Sequence, residues 1–226
     1  MNDPGSITVS SLKAVILDFD GVILESNHLK GEAFGQLFSE YPSQVSNIVQ
    51  LHKFHGGMSR YEKFRIIYRD FLQKDLGEDE MNRLDKEFRE LVQDGIMACI
   101  FVPGAFEFLN KYHQHFDLFI ASGTPEEELR EVVRRRNMSQ LFSGIYGAPD
   151  RKGKIMEQIM RLNGWQPEQM LFVGDAIDDY SAAQETRVPF IGRVPRGEGN
   201  PFPEVGVVKI ISDLHELNQI VRSWRI

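Results

Sequence analysis

The chain has 226 residues, 42% of them hydrophobic and 26% charged, the balance of a globular protein that buries a core of its own; no run reaches the ~20 apolar residues of a membrane span. Acidic residues outnumber basic ones, 33 to 26, which argues against a nucleic-acid or anionic-membrane partner and means that an anionic ligand needs cations gathered locally. One cysteine, Cys99, read as a small core residue, excludes an intramolecular disulfide and a Cys-rich zinc site. A reducing compartment suits it, and residues 1–11 carry no signal-peptide pattern, so the expected location is the cytoplasm.

The first element is the apolar run Ala14-Val15-Ile16-Leu17, which ends in Asp18-Phe19-Asp20-Gly21-Val22-Ile23 and reads as a buried strand. A central parallel strand is apolar throughout, so carboxylates at its carboxyl end need a task, and ligands of open α/β sheets bind beyond such ends. Period-two alternation sends Asp18 and Asp20 the same way and Phe19 the other. Two like charges that close repel, so the pair calls for a cation or for one retained proton.

After Gly21 the pattern turns helical, with runs at 27–40, 43–54, 59–75 and 78–98. Tyr61, Phe64, Ile67, Tyr68, Phe71 and Leu72 recur at helical spacing as one apolar packing stripe, with Arg and Lys assigned to the other faces. The block has no strand signal and reads as a small helical bundle inserted between the first and second strands.

From Val102 strand and helix alternate. Pro103-Gly104 opens a helix through Tyr112, and 117–121 is an apolar strand. Thr124 then caps a helix with Pro125 in its first position and Glu127 completing a capping box; Arg134, Arg135 and Arg136 suit its solvated end. A strand at 144–147, a helix at 153–162, a strand at 170–173, a helix at 178–185 and a strand at 189–191 follow. A Gly/Pro-rich loop at 192–206, to which no task is assigned, leads to a strand at 207–211. Regular alternation predicts an α/β fold with a parallel, doubly wound sheet.

Three further groups fall where strands end at the edge that carries Asp18 and Asp20. Ser122-Gly123-Thr124 offers a hydroxyl and the amides of a helix start, an anion site or only a cap. Lys152, or nearby Lys154, precedes the helix at 153–162 as a site cation or as a solvated surface residue. Gly174-Asp175-Ala176-Ile177-Asp178-Asp179 is a carboxylate cluster that suits an oxygen-ligated Mg2+, or acids decorating a helix N-terminus.

In this order the elements resemble the haloacid dehalogenase superfamily of phosphotransferases, over the whole chain, and within it the phosphoglycolate phosphatase and β-phosphoglucomutase-like subgroup. The resemblance implies a Rossmann-like catalytic core, residues 1–23 and 101–226, with an all-helical cap inserted at 24–100. It implies that Asp18 is the nucleophile and Asp20 the general acid/base. Ser122 and Lys152 would neutralise the phosphoryl oxygens, with Gly123 at the substrate and Lys154 as runner-up because the subgroup's Lys-Pro run is absent. It also implies Mg2+ on Asp18, Asp175 and the Asp20 carbonyl, with Asp179 orienting the metal shell or the lysine and Asp178 facing solvent.

Gly56-Gly57-Met58-Ser59-Arg60 resembles the subgroup's cap stretch whose Arg reaches the substrate, so Arg60 is either a bidentate anion clamp or an ordinary Arg in a first helical turn. Lys30 and His55 are further candidates for the same pocket. The implied activity is Mg2+-dependent hydrolysis of a small phosphorylated metabolite through an aspartyl phosphate. The alternatives are a sugar-phosphate mutase and a non-catalytic phosphate- or metal-binding module. Lys30 stands where mutases commonly carry a His, and the presence of Asp20 disfavours carbon–halogen cleavage. Phosphonate hydrolysis would require a lid lysine that forms a Schiff base, for which Lys53 and Lys63 are available.

Overall fold

The computed structural model describes residues 12–223; residues 1–11, read above for a leader, lie outside them. In chain order the elements are β1 (Ala14–Leu17), α1 (Asn27–Leu37), α2 (Val45–Phe54), α3 (Arg60–Ile66), α4 (Glu78–Ala98), α5 (Ala105–Tyr112), β2 (Asp117–Pro125), α6 (Glu126–Arg135), β3 (Gly144–Ala148), α7 (Lys152–Asn163), β4 (Met170–Gly174), α8 (Ile177–Thr186), β5 (Phe190–Arg193), β6 (Lys209–Ile211) and α9 (Leu214–Ser223). The six strands form one sheet in the order β3-β2-β1-β4-β5-β6, every neighbouring pair parallel. This is the doubly wound, Rossmann-like order, in which the direction of progression reverses between β1 and β4 and opens a crevice beyond their carboxyl ends.

The alternation of β1 shows how the two faces are covered. Val15 and Leu17 join Phe108 and Leu109 of α5, Leu129 and Val133 of α6, and Leu214 and Leu217 of α9. Ala14 and Ile16 point the other way, onto Ile155, Met156 and Ile159 of α7 and Ala182 and Ala183 of α8. With both faces roofed by helices, β1 has to be apolar along its whole length, and all four of its residues are buried.

Helices α1 to α4 lie between β1 and β2 in the chain and close around a third cluster of their own, in which Phe34, Phe38, Phe64 and Phe88 stack edge to face or tilted with Ile48, Leu84 and Val92 around them. α4 carries Glu78, Asp79 and Glu80 in its first turn, where the helix dipole favours acids. It buries Leu84, Phe88, Val92 and Ile96 at a spacing of four. No helix among the described residues is long and apolar enough to cross a membrane.

Four details differ from the sequence reading. The helix expected over 59–75 is α-helical only to Ile66, passes into a π-helical turn at Ile67–Leu72, and stops at Gln73 in the left-handed region. Strand β2 continues through Thr124 to Pro125, so Thr124 is not a cap and α6 begins without a side-chain cap. Arg136 is not a solvated end: it donates to the carbonyls of Ile96 and Met97 in the last turn of α4 and covers the Phe101 ring. The amphipathic α9 was not among the predicted elements.

Candidate active site

The end of β1 delivers two carboxylates into the crevice, and the chain turns immediately beyond them. The Asp18 amide still belongs to the sheet, donating to the Val173 carbonyl at 2.9 Å. Gly21 then takes a left-handed conformation (φ +70°), and a Cβ there would sit 2.0 Å from an Asp175 carboxylate oxygen and 2.3 Å from the Asn27 amide nitrogen. Only glycine fits that turn. Arg193, buried at the end of β5, fastens it by donating to the Gly21 carbonyl at 3.1 Å while pairing with Glu25 at 2.6 Å. The start of the loop at 192–206 therefore has a task that the sequence reading did not find.

Asp18 and Asp20 meet different surroundings. Asp18 accepts from the Phe19 amide at 2.6 Å and pairs with Lys152 at 2.8 Å, and Lys152 also pairs with Asp179. Burial, opposed by Lys152 and reinforced by Asp179 and Asp175, holds the Asp18 carboxyl well above the usual carboxylate range. Asp20 accepts from Ser26 at 2.6 Å, Lys30 at 2.5 Å and Thr124 at 3.0 Å. Burial raises its pKa, but Lys30 and those hydroxyl donors outweigh burial and bring it below the ordinary value. Carboxyls two positions apart are thus set to opposite protonation preferences.

Asp175, just past β4, accepts from Asn27 at 2.5 Å, and burial with the neighbouring Asp179 pushes it up to about 7. One ligand oxygen each from Asp18, Asp175 and Asp179 fall within 4.8 Å of one another. Two of these three carboxyls have raised pKa values, and Lys152 is the cation they share, so the donor set carries a surplus of negative charge that a hard divalent cation would relieve. Both Asp179 oxygens are already engaged, one with Lys152 and the other accepting from the amides of Asp175 (3.2 Å) and Ala176 (3.0 Å). Asp18 is likewise engaged on both oxygens, by the Phe19 amide and Lys152, whereas Asp179 is tied to the backbone at the start of α8, which makes it a positioning group.

The remaining candidates separate cleanly. Lys152 is buried at the site, whereas Lys154 is exposed and pairs with Asp150. Ser122 is buried beside Gly123, but its hydroxyl accepts from the Thr124 amide at 3.1 Å, so that amide is not free for an anion. Asp178 is half-buried: one oxygen pairs with His55 at 3.0 Å and the other is buried without a partner. Lys53 is exposed and Lys63 buried. Arg60 is neither a surface residue nor a free clamp. It lines the cavity over Asp18 and Asp20, 6% exposed, with Nε on Asp85 at 2.6 Å and a terminal nitrogen on Glu128 of α6 at 2.7 Å. The sequence reading missed Asn27, Ser26 and His52, and placed Thr124 in the Ser122-Gly123-Thr124 group without its bond to Asp20.

The turn at 56–58 lies directly on the site. A Cβ on Gly57 would meet Asp179 at 3.0 Å and Lys152 at 3.2 Å, and one on Gly123 would meet the Gly57 carbonyl at 2.8 Å. The cavity left between this turn and the aspartates is about 30 Å3, room for about two waters.

The profile of the family described as haloacid dehalogenase-like hydrolase matches residues 15–193. The chain is similar to a phosphorylated carbohydrates phosphatase of Thermotoga maritima, 25% identical over 92% of this chain and 97% of that protein. It is also similar to a phosphoglycolate phosphatase of Synechococcus elongatus, 24% identical over 77% and 80%. Among solved structures it shares its fold with the HAD-hydrolase YfnB of Bacillus subtilis bound to magnesium, at a TM-score of 0.68 and 21% identity over 94% of this chain and 99% of that one. The match over 15–193 spans well over half of the sequence, and the chain belongs to the haloacid dehalogenase-like hydrolase family.

Proposed function

We propose that this haloacid dehalogenase-like hydrolase is a Mg2+-dependent phosphatase of a small phosphorylated metabolite, working through a phosphoryl group carried on Asp18. The observation that carries this reading is geometric: Asp18 and Asp20, two positions apart at the end of β1, face one cavity, with Lys152 beside the first and Lys30 beside the second. Relatives named for phosphoglycolate and for phosphorylated carbohydrates support a phosphomonoester substrate.

In the first half-reaction an Asp18 oxygen bonds to phosphorus as the bond from phosphorus to the leaving oxygen breaks, and Asp20 gives that oxygen a proton. In the second, Asp20 takes a proton from water as the water oxygen bonds to phosphorus and Asp18 is released. Held ionised by Lys30, Ser26 and Thr124, Asp20 is ready as the base of the second step; an arriving phosphoryl dianion raises its pKa for the first. Lys152, positioned by Asp179, offsets charge on the phosphoryl oxygens, with Ser122 and Gly123 at the same edge. Mg2+ on Asp18, Asp175 and the Asp20 carbonyl would lower the repulsion between the carboxylate nucleophile and the phosphoryl group.

Residues 24–100 act as a lid over the core formed by 1–23 and 101–226. A cavity of about 30 Å3 holds no metabolite, so the layer α1 to α4 swings away for binding and closes to exclude water. Ion pairs that cross between lid and core include Lys30 to Asp20, Arg60 to Glu128, His55 to Asp178, Glu62 to Arg151 and Glu25 to Arg193, at 2.5, 2.7, 3.0, 2.7 and 2.6 Å.

The test is phosphate release from a panel of phosphomonoesters with Mg2+ or with EDTA, comparing the intact chain with Asp18→Asn. Metal-dependent release that vanishes in the variant supports the proposal. A blank panel from a folded, Mg2+-binding chain sinks it.

A further inference from the structure

Five cationic side chains are buried among the described residues: Lys30, Arg60, Lys63, Lys152 and Arg193. Four have carboxylates within ion-pair distance: Lys30 has Asp20, Arg60 has Asp85 and Glu128, Lys152 has Asp18 and Asp179, and Arg193 has Glu25. Lys63, 2% exposed, has none. Its ammonium donates to His52 Nδ1 at 3.1 Å and, at the long distance of 3.4 Å, to the Gly56 carbonyl, and it lies 5.7 Å from the centre of the Phe34 ring.

The imidazole cannot act as its counter-ion. His52 Nε2 faces the Asn27 carbonyl at 3.3 Å, and a carbonyl only accepts, so the ring carries its proton on Nε2 and presents a lone pair at Nδ1. Burial and the nearby Lys63 charge push the ring pKa down to about 3. A neutral ring can accept one N–H from Lys63 but brings no negative charge. Through space, Asp178 and Asp20 act on Lys63 against Lys30 and Lys152, so the surroundings supply little net compensation. An uncompensated buried charge is costly, and proteins keep one where a ligand completes it.

We infer that Lys63, positioned by His52, is the specificity-determining residue of the lid: its ammonium receives an anionic group on the part of the substrate that leaves with the oxygen, and that group is a carboxylate. This rests on the phosphatase reading above. Lys63 lines the same cavity as Asp18 and Asp20, so a ligand held by its phosphoryl group at Asp18 presents its other end to the lid. Arg60, the residue whose motif suggested such a clamp, already has two carboxylates. One ammonium without a carboxylate beside it matches one negative charge, which a carboxylate carries and a second phosphate exceeds. A phosphorylated neutral sugar would leave Lys63 as it is now, buried and unpaired.

The test compares kcat and KM for 2-phosphoglycolate and for ethyl phosphate, which lacks the carboxylate, in the intact chain and in Lys63→Met. Losing a charge-assisted contact raises KM for 2-phosphoglycolate about 10- to 100-fold, with KM for ethyl phosphate changed less than about threefold and kcat little changed for either. Equal effects on both substrates would overturn the inference. Calorimetric titration of the intact chain with phosphonoacetate and with ethylphosphonate gives a reading independent of the variant and of turnover. Tighter binding of phosphonoacetate, by about tenfold or more, supports the carboxylate receptor even if no phosphomonoester is hydrolysed; equal binding refutes it even if many are. Borohydride trapping of Lys63 with a phosphonoaldehyde would also overturn it, by showing that the amine works as a nucleophile.

Discussion

On the sheet side of the cleft the buried cation is Lys152, wedged between Asp18 and Asp179; on the helical side it is Lys63, equally buried and facing a neutral imidazole. Burial pulls both ammonium groups down, but the two carboxylates more than reverse this for Lys152, whose pKa rises, while that of Lys63 falls to about 7. The difference separates two uses of a buried charge. Lys152 has its compensation built in, which in the proposed mechanism suits a group that steadies a phosphoryl centre common to all substrates. Lys63 has no carboxylate beside it, which under the inference drawn above leaves binding energy to a ligand that supplies one.

The largest effect that would sharpen this contrast is expected from Lys152→Met. It leaves Asp18 and Asp179 buried without their cation, which costs about 3–5 kcal/mol of stability, and it lowers kcat about 10^2- to 10^3-fold; denaturant unfolding and steady-state kinetics read the two together. Lys30 belongs to the helical layer but is paired with Asp20, so it should behave like Lys152 rather than like Lys63. Because Ser26 and Thr124 still serve Asp20, Lys30→Met costs less, about 1–3 kcal/mol. It lowers kcat about tenfold with KM nearly unchanged, and a variant as stable as the parent would break the comparison.

The smallest effect has the opposite sign. Lys63→Met removes an unpaired charge and stabilises the chain, on the order of 1–2 kcal/mol. The pH dependence follows from a folded value of about 7 against an ordinary value of 10.5. Between these the unfolded chain binds more protons than the folded one, so the parent gains stability as pH rises through the window and carries the full cost below pH 7. The advantage of the variant should therefore be greatest below pH 7 and shrink toward pH 10, which thermal melts across that range would show.

The sheet side was legible because its residues terminate apolar strands, where periodicity fixes both the face and the edge. Asp18, Asp20, Asp175 and Asp179 fall there by position alone. The choice of Lys152 over Lys154 needed only the phase of α7, since two residues turn the side chain to the far side of the helix. The helical side was harder. Lys63 sits four residues before Ile67 and one before Phe64, inside the apolar stripe of its helix rather than on the other faces to which basic residues were assigned. A lysine at a core position was the available signal. Thr124 was taken for a cap because a strand that continues past a Ser-Gly-Thr turn looks locally like a helix start. Asn27 and Ser26 reach the aspartates from the very start of α1, and Arg193 reaches the turn at Gly21 from the end of β5, so only the tertiary fold brings them there.

The central claim, a phosphoryl group carried on Asp18, is tested most directly by mixing Asp20→Asn with Mg2+ and an aryl phosphate, whose leaving oxygen departs without a proton from Asp20, quenching in acid, and mapping the phosphorylated residue by mass spectrometry. Without Asp20 to take a proton from water, breakdown of the intermediate slows. The predicted result is one phosphoryl group on the peptide that contains Asp18, absent when Asp18→Asn is added. Phosphate release with no labelled Asp18, or a label that persists in Asp18→Asn, would contradict the account.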